Sequence, residues 1–166
     1  MVRSVDSGVV LAKVARLGEA LAQLAELAAM PFDRFAASWA LVAAAERNLE
    51  VAVQACVDVG NHLIARRGLV APSAAVEVFR VLADDGLLSE DLADELVALV
   101  RLRNRLAHEY ERVVPRELWT AARQLDPFRR FAQAVGPLAS PPGSSHARER
   151  APKYRKSRRP SPRSGK

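Results

Sequence analysis

Between Val10 and Ala28 the apolar residues Val10, Val14, Leu17, Leu21, Leu24 and Ala28 recur at steps of four and three, with Lys13, Arg16, Glu19 and Glu26 in the gaps. That period belongs to an α-helix with one face turned to a core. Strict alternation, the mark of a half-buried strand, is nearly absent from the chain, and Asp85-Gly86 lies between two helical patterns rather than between strands. The chain is therefore restricted to ways of packing helices against helices.

The remaining boundaries follow from breakers and caps. Pro31 stops the first helix, and Asp33 is placed to cap a short turn. A second, much longer pattern runs from about Ser38 to Arg66, with Leu49, Ala52, Cys56, Val59 and Leu63 as its seam. Gly68 ends it. Pro72-Ser73 opens a short third helix carrying Ala75, Phe79 and Leu82, which closes at Asp84-Asp85-Gly86. Ser89 followed by Asp91 starts a fourth, with Leu92, Leu96 and Leu99 along its apolar side. This helix must end near Tyr110 to Val114, because Pro115 disfavours helical geometry at the residue before it. A fifth segment runs from Arg116 to about Val135 and is broken or bent at Pro127. The expected fold is all-α: an antiparallel up-down four-helix bundle with an additional C-terminal helix.

Length and composition set the organisation. At 166 residues the chain holds one domain, expected over residues 1–136. From Pro137 the sequence turns to Pro, Ser, Gly and Arg, and residues 137–166 are expected to be a disordered basic tail. Nine of the 25 Lys and Arg residues fall in 141–166 beside the single acid Glu149, so the high isoelectric point describes the tail. Cys56 is the only cysteine, which excludes an internal disulfide or a thiolate metal cluster and fits a reducing compartment. There is no apolar run long enough to span a bilayer, and charged residues interrupt the N-terminal apolar stretch. A soluble, cytoplasmic protein is expected.

The segment with chemistry is Arg103 to Tyr110. On an ideal helix the seam Leu92, Leu96, Leu99 continues into Arg103 and Leu106, so an arginine holds a core-facing slot. An unpaired guanidinium in an interior is costly, and the position must meet an acid, an interface or an anionic ligand. Read alone, Arg103 pairs with an acid such as Asp58 on the second helix. His108 lies about 140° around the axis from Arg103, so the two share a face only if the helix unwinds or a second subunit completes the pair. Asn104 and His108 are four apart and do share a face, which lets the amide orient the imidazole. Tyr110, taken by itself, is a half-buried aromatic at a helix end. Gln54, Asp58 and His62 form a stripe on the second helix that reads as solvated, and three scattered ligands do not make a metal site.

Arg103-Asn104-Arg105-Leu106-Ala107-His108-Glu109-Tyr110 resembles the signature of the HepT branch of the HEPN ribonucleases: an Arg, four intervening residues, a His, one residue and a Tyr. The stretches Ala45-Glu46-Arg47-Asn48-Leu49 and Gln54 to Ile64 resemble that family's long second helix, and the likeness covers roughly residues 8–114. The resemblance implies a ribonuclease toxin of a toxin–antitoxin pair, cleaving RNA without metal or cofactor at a site formed where two motif helices meet in a homodimer. Arg103, His108 and Asn104 would be its catalytic set, with Asp58 in support and Arg101 and Arg105 adding positive field. It also implies a small nucleotidyltransferase antitoxin of the MNT type that transfers adenylate to Tyr110 and silences the nuclease. Two rivals stand beside it. One is a non-catalytic HEPN bundle that binds a nucleotidyltransferase partner or a nucleotide. The other is a plain helical interaction domain whose tail contacts nucleic acid.

Overall fold

The computed structural model describes residues 5–108 and 114–139, with only the backbone of residues 5–7, 108 and 139. Every regular element among the described residues is helical: α1 (Val5–Ala28), α2 (Phe32–Ala36), α3 (Trp39–Arg66), α4 (Ala75–Asp84), α5 (Glu90–His108), α6 (Pro115–Arg123) and α7 (Asp126–Ala139). The all-α class read from the periodicity is the observed one. No helix among the described residues is long and apolar enough to cross a membrane.

Most boundaries are set by the residues that predicted them. Ser38 caps α3, its Oγ accepting from the Leu41 N–H at 3.4 Å. Gly68 and Gly86 take φ of +68° and +78°, the left-handed geometry that turns the chain out of α3 and α4. The Glu77 carboxylate accepts from the N–H and hydroxyl of Ser73 and from the N–H of Ala74, closing the first turn of α4. Ser89 accepts from the Leu92 N–H at 3.3 Å and starts α5.

One local expectation is corrected and another is shifted along the chain. Asp33 does not cap a turn: Pro31 precedes α2, and Asp33 sits inside its first turn, where its charge faces the positive end of the helix. The break expected at Pro127 is present, but a few residues before the proline. The chain breaks earlier, at Gln124 (φ −107°, ψ 63°), and Pro127 lies in the first turn of α7, where a missing N–H leaves no bond unmade. The single C-terminal helix expected is thus two, and α7 runs on past Pro137 to Ala139.

The long α3 is the hub, packing against each of the other helices. Its predicted seam of Leu49, Ala52, Cys56, Val59 and Leu63 is buried throughout. Phe79 of α4 meets Phe131 of α7 edge to face, with centroids 5.8 Å apart. At the far end of α1, α6 takes up carbonyls that the helix leaves open. Trp119 Nε1 donates to the Met30 carbonyl and Arg123 to that of Ala28, both at 3.1 Å. These bonds fix α6 at the end of α1, and the Arg105–Glu117 ion pair links it to the C-terminal half of α5, where the motif lies.

Candidate functional site

Helix α5 carries the motif on a rigid support. Leu92, Leu96, Val100, Leu102 and Leu106 are buried and hold one side of it against the core. Arg103 is half-buried in that setting, and its Nε is buried with no hydrogen-bond partner. A buried donor left unsatisfied costs about 1–3 kcal/mol, more when charged, so the guanidinium is held ready for an acceptor that the described residues do not supply.

The expected partner is engaged elsewhere. Asp58 binds Lys13 Nζ at 2.6 Å and accepts from Gln54 at 2.8 Å, so it ties α3 to α1 and is not an ion-pair partner of Arg103. Partial burial would raise its carboxyl, but the hydrogen bonds from Lys13 and Gln54 and the lysine charge overturn that and hold it below the ordinary carboxylate range. Lys13 went unnoticed in the sequence because it fills a polar gap of the first helical pattern. Only the pairing of α1 with α3 places it opposite Asp58.

Helix α5 stays regular through His108, which rules out local unwinding as the way to bring Arg103 and His108 together. Their register positions therefore remain about 140° apart on one helix. The His108 side chain lies outside the described residues, as does the contact with Asn104 expected of it. Asn104 is half-buried and bonds to no other described side chain. Tyr110 also lies outside the described residues. Arg101 is exposed, whereas Arg105 pairs with Glu117 of α6, so its charge is largely spent on joining the two helices. His62 is half-buried with Nε2 buried and unpartnered, so the stripe containing Gln54 and Asp58 is not simply solvated. Among the described residues there is no cluster of three metal-ligating side chains.

Residues 17–135 match the family described as Ribonuclease HepT-like. The chain is 34% identical over 64 residues to the mRNA nuclease HepT of Shewanella oneidensis, an alignment covering 39% of this chain and 48% of that relative. It is 24% identical over 118 residues to the tRNA nuclease HepT of Aphanizomenon flos-aquae, covering 71% of this chain and 80% of the other. Its fold is that of the tri-AMPylated Shewanella oneidensis HEPN toxin seen in complex with MNT antitoxin, with a TM-score of 0.73 at 22% identity over 78% of this chain and 97% of that one. A match spanning most of the helical body, with the motif segment inside it, leads to one conclusion: this chain belongs to the ribonuclease HepT-like family.

Proposed function

We propose that this chain is the ribonuclease toxin of a toxin–antitoxin pair, cutting RNA without a metal at a site that two protomers complete. The observation that carries the reading is Arg103, a cation in a core-facing slot whose buried Nε has no partner among the described residues, two turns or less from Asn104 and His108 on one helix. Such a group suits an anionic phosphate. The relatives named mRNA and tRNA nuclease support RNA as the substrate, and the toxin seen with an MNT antitoxin supports a nucleotidyltransferase partner.

Each residue type then has a task. Histidine is the residue type suited to moving protons at neutral pH, and His108 takes the proton from a ribose 2′-hydroxyl. The 2′-oxygen attacks the adjacent phosphorus, the bond to the 5′-oxygen breaks, and the leaving oxygen is protonated. Arg103 holds the extra negative charge of the crowded phosphorus through its planar fork. Asn104 orients the imidazole or the phosphate. Since α5 keeps Arg103 and His108 on different faces, a two-fold homodimer that juxtaposes two copies of α5 brings the arginine of one protomer to the histidine of its partner. Adenylate added to Tyr110 puts phosphate charge and bulk beside this pair and repels the substrate.

Incubating purified chain with RNA and excess chelator tests the reading. Cleavage by the parent chain, lost in His108→Ala, is expected. Cleavage that persists in His108→Ala, or that appears only with added divalent metal, contradicts it. The rival, a silent bundle that merely grips its partner, predicts no cleavage by any variant.

A further inference from the structure

A groove of about 960 Å3 runs between α5 and the α6–α7 pair. Its floor is apolar, with Leu99, Leu102, Ala121 and Leu125, and Val114 stands 47% exposed at its mouth. Charged side chains line the rim, and their balance shows which ligand the groove can take. Glu117 is paired with Arg105 and Glu95 with Arg130 at 2.8 Å, while Asp126 shares that same Arg130 at 3.9 Å, so one carboxylate charge is left over. Three rim arginines, Arg116, Arg123 and Arg129, have no carboxylate partner among the described residues.

Two of these cations are also held in place. The Arg116 guanidinium carbon sits 3.4 Å over the Phe32 ring, and that of Arg123 sits 4.6 Å over Trp119. Stacking fixes the plane of a guanidinium while leaving its N–H groups free along the edges. Arg123 spends one donor on the Ala28 carbonyl and, with five in all, keeps others. Arg116 and Arg123 lie seven residues apart on α6, a rise of about 10 Å along the groove.

We propose that this groove binds single-stranded RNA, taking bases on its apolar floor and backbone phosphates on Arg116, Arg123 and Arg129. A trough with an apolar bed and a rim whose arginines outnumber its acids complements a strand with flat apolar bases and a charge at every nucleotide. The basic segment of this same chain, with nine cations and one acid in 141–166, has the wrong sign to occupy it. Leu102 of the floor directly precedes Arg103, so the groove adjoins the motif along α5, and the inference rests on the ribonuclease reading to the extent that the strand held here is the one that flanks the cut.

Binding can be read apart from cleavage. In a His108→Ala background, the affinity for a labelled single-stranded RNA of mixed sequence is followed by anisotropy across a salt series. The variants are Arg129→Glu alone, Arg116→Glu with Arg129→Glu, and the corresponding lysine replacements. The double reversal is expected to weaken binding about tenfold or more and to flatten the log–log salt slope by about 0.7 per lost phosphate contact, with the lysine variants near the parent. Arg129 is exposed and has no carboxylate partner among the described residues, so its reversal decides the matter even if the Arg116 variant folds poorly. Unchanged affinity and slope in a folded Arg129→Glu chain overturn the proposal. It also falls if the reversals weaken association with a nucleotidyltransferase, or between two copies of the chain, while RNA affinity stands. Groove-dependent binding by a chain that never cuts RNA would uphold the groove and remove the ribonuclease reading. In a cutting chain, the same reversals raise KM and leave kcat.

Discussion

Arg103 separates a structural role from a chemical one more sharply than any other described residue. A paired structural arginine would destabilise the fold on removal, because its acid would be left buried and alone. Arg103 has no such acid among the described residues, and Arg103→Met keeps side-chain bulk while deleting a buried donor that they leave unsatisfied. The expected outcome is a urea midpoint equal to or above the parent's, with RNA cleavage slower by about 100-fold or more, as for loss of a group that stabilises charge in the transition state. A clear fall in midpoint would return Arg103 to a structural role. Asp58 predicts the opposite pattern. Its carboxyl titrates below its ordinary value in the native state, so the Lys13 link stabilises fully above that ordinary value and is lost as pH falls through the lowered one. Asp58→Asn should therefore flatten the acid side of the stability–pH profile and leave cleavage near the parent rate. Cys56 is buried, and burial pushes its thiol well above the ordinary range, so it should react with thiol reagents only as the chain unfolds.

Among the elements, α3 bears the strictest constraint. Gly60 lies buried where a Cβ would collide with Cγ1 of Val78 and touch Leu82, so α4 approaches α3 as closely as backbone allows. Gly60→Ala gains about 1 kcal/mol of helix propensity and loses about 1–3 to overpacking. Net destabilisation is expected in urea titrations, largely recovered by adding Val78→Ala, and a more stable single variant would refute the packing argument. Ser38→Ala removes the cap of α3 and should cost about 1 kcal/mol by the same measurement. The elements also show what a sequence makes legible. Helix identity was readable wherever a 3.6 period met a Ser cap or a Gly terminus, as in α3, α4 and the start of α5. The split between α6 and α7 was legible only approximately, because Gln124 and Leu125, where the chain turns, carry no breaker and the visible Pro127 belongs to the first turn of the helix that follows. The partner of Asp58 was hidden for a different reason: an ion pair across helices depends on their register, which periodicity leaves open. The motif itself was legible as an arginine out of place on an apolar seam.

For the molecule as a whole, the regular α5 is what the proposed two-protomer site rests on. Two side chains about 140° apart on one helix cannot grip one phosphate together, whereas two copies of that helix related by a two-fold axis can. On the proposed reading, each site draws Arg103 from one protomer and His108 from the other. The direct test mixes inactive Arg103→Ala and His108→Ala chains under conditions that exchange subunits. Random pairing makes half of the dimers mixed, and each mixed dimer keeps one intact site of two, so about a quarter of the parent cleavage rate should return. A mixture in which hetero-dimers form yet no cleavage returns would contradict the shared site and the account built on it.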